Sequence, residues 1–134
     1  MYGFADFDRG SFGKHVVWNA DMLAKIPDAM ELQHAAPLMC AGATVWTALT
    51  RYGLKHGDRV GVQGIGGLGH LAIQFAAKLG CSVTVLSSSA SKKDEAMKLG
   101  ATDFYIMSED FELPFEKKLD HLLICGSANP DYSK

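Results

Sequence analysis

The stretch VQGIGGLGHLAIQFAAKLG, Val62–Gly80, decides how the rest of the chain is read. It opens on apolar residues, passes through a glycine cluster, and closes with apolar residues at helical spacing before Gly80. Gly64, Gly66 and Gly69 form G-x-G-x-x-G between a predicted strand and a predicted helix. The first glycine allows a tight turn, the second lets a pyrophosphate approach the backbone, and the third lets helix and strand pack closely. Amides at the helix start, and the helix dipole, favour phosphate there. Glycine-rich turns also arise for purely structural reasons, so the loop alone leaves a dinucleotide site and a plain turn both open.

Working outward, RVGVQG (59–64) reads as a buried strand and residues 68–79 as a helix closed by Gly80. CSVTVLS (81–87) is a second strand, followed by a short helix over 91–99 that Gly100 stops. TDFYIM (102–107) and LDHLLICGS (119–127) are a third and a fourth strand. Strands alternating with helices at this spacing call for an α/β fold with a parallel sheet and right-handed crossovers. The expected architecture is a partial doubly wound (Rossmann) sheet of order 3-2-1-4. A complete fold of this kind adds two more strands with their helices, so the expectation is a truncated domain with an exposed strand edge.

Upstream, residues 1–13 are expected to be loop, and KHVVW (14–18) a short strand followed by the turn NAD. MLAKIPD is read as a further extended piece ending at Pro27. MELQHAAPLMCAGATVWTALTRYG (30–53) carries Leu38, Ala41, Val45 and Leu49 at helical spacing and is expected to form one helix stopped by Gly53.

Composition narrows the function classes. At 134 residues and 48% hydrophobic content, the chain fits one compact domain with a real core. A formal charge of −2, with acids and bases interleaved, gives no electrostatic case for nucleic acid or a membrane surface. The longest uncharged stretch, Ala35–Thr50, is too short to span a bilayer and reads as a buried helix. The N-terminal residues lack the basic and apolar regions of a secretory signal. Cys40, Cys81 and Cys125 are odd in number and widely spaced, which argues against a disulfide framework and for a reducing, cytoplasmic setting.

The end of the second strand discriminates between dinucleotides. An NAD site of this type places Asp or Glu there, about 20 residues past the glycines, for the ribose hydroxyls. Here the sequence is LSSSASKK (86–93), with Ser87, Ser88, Ser89, Lys92 and Lys93 and no acid before Asp94. Hydroxyls and ammonium groups suit a 2′-phosphate that an acid would repel, so NADP(H) is the expected cofactor. The alternative is an ordinary serine-rich loop leading into a solvated, lysine-bearing helix face.

KIPDAMELQHAAPLMCAGATVWTAL (25–49), VGVQGIGGLGHLAIQFAAKLG (60–80) and SVTVLSSSASKKDEAMKLGA (82–101) together resemble the zinc-dependent medium-chain alcohol dehydrogenases. Within that family the cinnamyl alcohol dehydrogenase branch is most similar, including its fungal NADP-dependent relatives. The resemblance implies hydride transfer between NADP(H) and a primary alcohol or aldehyde, with zinc polarising the substrate oxygen. It makes Cys40 the third protein ligand of catalytic zinc and Thr44, one helical turn on, a contact near the nicotinamide. Gly64, Ile65, Gly66, Gly67 and Leu68 match the pyrophosphate loop; Ser88, Ser89 and Lys93 match the 2′-phosphate contacts, with Ser87 and Lys92 adjacent.

The same resemblance makes residues 1–33 a C-terminal remnant of the catalytic, GroES-like domain and 34–134 a truncated NADP-binding domain. It also implies a homodimer for the full-length enzyme. The family's other two zinc ligands and its four-cysteine lobe have no counterpart here. Catalytic zinc takes three protein ligands, so the expectation is a fragment inactive by itself. Two alternatives stay open: a zinc-free quinone or enoyl reductase of the same superfamily, and a non-catalytic NADP-binding module.

Among the other polar residues, His70 follows the glycine loop and reads either as a neighbour of a phosphate or of the substrate cleft, or as a satisfied helix-start histidine. Cys81 and Cys125 are expected to be core thiols, and Trp18 and Trp46 packing residues. His15, His56 and His121 have no evident partners in the sequence.

Overall fold

The computed structural model describes residues 13–108, 114, 116 and 118–126. The loop expected over 1–13 lies, apart from Gly13, outside the described residues, as does Ser127 at the end of the expected fourth strand. The chain divides into two compact units, Met1–Leu32 and Gln33–Lys134.

In the first unit the expected strand at 14–18 is absent; residues 15–19 have no regular structure. Val17 is 97% exposed, and β-branched residues form a strand only when a neighbour takes up their backbone groups. The Asn19 side chain accepts a hydrogen bond from the Asp21 N–H at 3.0 Å and so starts a 3-10 turn, Ala20–Met22, inside the expected turn and extended piece.

Residues 30–53 do not form the one continuous helix expected. A short α1 (Leu32–Ala35) tightens into a 3-10 helix (Ala36–Met39), the chain turns at Cys40, and α2 (Ala41–Arg51) follows. Pro37 accounts for the break, because it has no N–H to give the helical ladder. Cys40, with φ −115° and ψ −69°, takes up the change of direction.

From there the order is β1 (Arg59–Gln63), α3 (Gly69–Lys78), β2 (Ser82–Ser87), a 3-10 turn (Ala90–Lys92), α4 (Lys93–Leu99), β3 (Asp103–Ile106) and β4 (His121–Ile124). All pairings are parallel, and the sheet order is β3-β2-β1-β4, the order expected of a partial doubly wound sheet. Val60 stands beside Val83 and Val62 beside Val85 in the β1–β2 register. These four valines are fully buried against Ala72, Ile73 and Ala76 of α3 and Val45 and Leu49 of α2. The alanines let α3 lie close to the sheet, and burying Ile73 contributes about 2 kcal/mol.

The N-terminal ends of the strands share one rim, fastened by polar contacts. Asp58 accepts from the Lys55 N–H at 2.7 Å and meets His121 Nε2 at 3.1 Å. Asp120 accepts from the Arg59 N–H at 2.8 Å, while its own N–H donates to the Arg59 carbonyl at 2.9 Å. Among the described residues no helix is long and apolar enough to cross a membrane.

Candidate cofactor site

The sheet order reverses between β1 and β4, and parallel sheets bind ligands in the crevice at the carboxyl ends of the strands at such a point. The glycine loop follows β1 directly. Gly64 has φ +89°, a left-handed conformation that glycine adopts freely, and its N–H donates to the Leu86 carbonyl at 2.9 Å. A Cβ on Gly64 would come within 3.0 Å of the Gly126 nitrogen, so loop and β4 terminus lie backbone to backbone. A Cβ on Gly69 would fall 1.9 Å from the Gly64 carbonyl oxygen, which makes that position glycine by close approach.

Gly66 and Gly67 differ from these two. A Cβ at either would meet nothing within 4 Å, so both face open space at the start of α3. Ile65 and Leu68, half-buried against the core, anchor the loop from below. Leu68 caps α3 without a side-chain hydrogen bond. The loop thus offers bare backbone at the positive end of a ten-residue helix, which suits a pyrophosphate. His70 is the satisfied helix-start histidine of the two readings: its Nδ1 lies 3.1 Å from the Gly66 carbonyl oxygen.

Beyond β2 the serines divide their work. Ser87 is buried; its hydroxyl accepts from the Ser89 N–H and donates to the Ser89 carbonyl, each at 3.2 Å. It therefore builds the turn. Ser88 and Ser89 are exposed, and the Ser89 hydroxyl caps the following turn through the Ser91 N–H at 3.3 Å and meets the Ser91 hydroxyl at 2.8 Å. Lys92 pairs with Glu95 at 2.9 Å, while Lys93 stands exposed at the first residue of α4. No carboxylate stands between Leu86 and Lys93.

Cys40 and Thr44 are both exposed, and the Thr44 N–H donates to the Cys40 carbonyl at 3.0 Å. Their helix is fixed beside α3 by the edge-on contact of Trp46 and Phe75, with ring centroids 6.0 Å apart. Cys125 follows β4, half-buried next to Gly69, and burial pushes its thiol above the usual cysteine range; burial does the same to Cys81, with Asp58 adding to it. Among the described residues no three His, Cys, Asp or Glu side chains converge to hold a metal ion. Catalytic zinc takes three protein ligands, so the described residues by themselves do not fit that ion.

Residues 67–125 match a family model described as zinc-binding dehydrogenase. A probable formaldehyde dehydrogenase, AdhA, of Bacillus subtilis is 38% identical over 97% of the chain and 39% of its own length. The solved structure of a cinnamyl alcohol dehydrogenase from Sorghum bicolor superposes with a TM-score of 0.74 and 39% identity, over 86% of this chain and 33% of that one. These matches make the chain similar to the zinc-type medium-chain alcohol dehydrogenases, and among them to cinnamyl alcohol dehydrogenases. A further solved structure, CAD from Helicobacter pylori complexed with NADP(H), gives a TM-score of 0.64 at 32% identity, over 72% of this chain and 26% of that one. The chain therefore spans well under half the length of each of these relatives.

The His70 contact with Gly66 and the part played by Ser91 escaped the sequence reading. The four-residue spacing from Gly66 to His70 was the available signal for the first, since it places both on one helical turn.

Proposed function

We propose that this chain is the NADP(H)-binding part of an oxidoreductase acting on primary alcohols and aldehydes. The bound nicotinamide supplies or accepts the hydride. Gly64, Ile65, Gly66, Gly67 and Leu68 hold the pyrophosphate through backbone N–H groups, the loop being open at Gly66 and Gly67. Ser88, Ser89 and Lys93 receive the 2′-phosphate; Ser87 shapes their turn and Lys92 lends charge beside it. Thr44 contacts the nicotinamide end. Cys40 is one candidate zinc ligand, and no step is assigned to the ion. Residues 1–33 belong on this reading to a catalytic domain and 34–134 to the cofactor domain.

One observation carries the reading. An open glycine loop and a hydroxyl- and lysine-bearing loop free of carboxylates follow adjacent strands at the same rim of the sheet. Titrating the chain with NADPH and NADH tests it. NADPH is expected to bind at least about tenfold more tightly, a gap of about 1.4 kcal/mol, and S89A/K93A to close most of it. Equal affinity of the wild type for both would overturn the cofactor assignment.

A further inference from the structure

The carbonyl oxygen of Gly66 receives two hydrogen bonds from one residue. The backbone N–H of His70 donates to it at 3.1 Å, and Nδ1 of the His70 ring lies 3.1 Å from it as well. A carbonyl oxygen only accepts, so Nδ1 carries a proton in this arrangement. Gln74 donates from Nε2 to the His70 carbonyl at 3.0 Å and extends the tie by a further turn.

The consequence lies on the other side of the Gly66–Gly67 peptide. That peptide is trans and planar, so its C=O and N–H point in opposite directions. A Gly66 carbonyl drawn toward His70 therefore aims the Gly67 N–H away from α3, out of the helix start. Neither glycine has a side chain to hold the plane, and both face open space. A flip of this peptide would turn a carbonyl oxygen outward where the loop needs a donor.

We propose that His70 is a positioning residue of the pyrophosphate loop: its ring holds the Gly66–Gly67 peptide in the orientation that donates an N–H to a phosphate oxygen. The proposal rests on the reading of this loop as an NADP(H) site. The ring acts through the peptide.

Two variants separate the donor from the shape. H70N keeps an N–H donor where Nδ1 stands, and H70L has the same outline without one. Wild type, H70N and H70L are titrated with NADPH by its fluorescence, and with adenosine 2′-phosphate, which lacks the pyrophosphate. H70L is expected to weaken NADPH binding about fivefold and H70N by less than about twofold, the scale of one neutral hydrogen bond. Adenosine 2′-phosphate binds all three alike. Long-range proton–nitrogen spectra of the wild type show Nδ1 protonated. The proposal falls, with the cofactor reading intact, on any of four results: H70L binding NADPH like the wild type, H70N as weak as H70L, both ligands weakened equally, or a bare Nδ1. Failure of the wild-type chain to bind NADPH would remove the cofactor reading and this proposal together.

Discussion

His121 Nε2 lies 3.1 Å from Asp58 Oδ2, joining β4 to the turn before β1 across 63 residues of sequence. The Lys55 N–H, first, and the hydrogen bond and charge of His121 hold the Asp58 carboxyl below its ordinary value of 3.8, against the opposing effect of burial. Unfolded Asp58 thus takes up a proton more readily than folded Asp58. The stabilisation is complete above the ordinary value and is lost as pH falls through the lower folded one. D58N should therefore melt below the wild type at neutral pH, with the gap closing in strong acid. Thermal melts across that range check the sign, and a gap that widened on acidification would contradict it.

The glycines of the loop separate folding from binding. G69A drives a methyl group into the Gly64 carbonyl and should cost about 3 kcal/mol or more in denaturant titration. G66A has open space around its Cβ and should unfold within about 0.5 kcal/mol of the wild type. If the loop is a phosphate cradle, G66A nevertheless loses NADPH binding, because the methyl occupies the approach.

Thr84 sits in the middle of β2 with its side chain buried, and its hydroxyl has no hydrogen-bond partner among the described residues. T84V keeps the β-branched shape and removes the orphaned donor. It should raise stability by about 1 kcal/mol. A midpoint of urea unfolding below that of the wild type would show that the hydroxyl has a partner in solution.

The three thiols should react in a fixed order. Cys40 is exposed, whereas Cys81 is buried and Cys125 half-buried, both with thiols pushed up by burial. Iodoacetamide at mildly alkaline pH should label Cys40 first, then Cys125, with Cys81 reacting only on unfolding. Peptide mass spectrometry over a time course reads the order directly.

The residues that made the fold legible are those whose pattern is local. Val60 and Val62, then the glycines, then Leu71 through Ala76 change period within a few residues, and that change announces strand, turn and helix in turn. KHVVW misled because β propensity without a partner strand leaves the backbone unpaired, and Val17 ended in solvent. Pro37 stood in plain view inside the helical pattern, yet the apolar spacing around it outweighed its missing N–H in the reading. Ser87 was grouped with Ser88 and Ser89 by composition; its place as the last residue of a buried strand turns its hydroxyl to its own turn. His121 and Asp58 could not be paired at all. Only the β1–β4 register, Val60 beside His121, brings them within reach, and no local pattern encodes a register.

Because the four strands run in one direction, the two ends of the sheet carry different burdens. One rim holds the Asp58–His121 and Arg59–Asp120 fastenings, the other the glycine and serine loops. Damage to the first surfaces as a lower unfolding midpoint. At the second, exchanging the exposed Ser88 or Lys93 leaves those fastenings and the Ser89 cap untouched, so the chemistry of the loop after β2 can change while the protein keeps its durability.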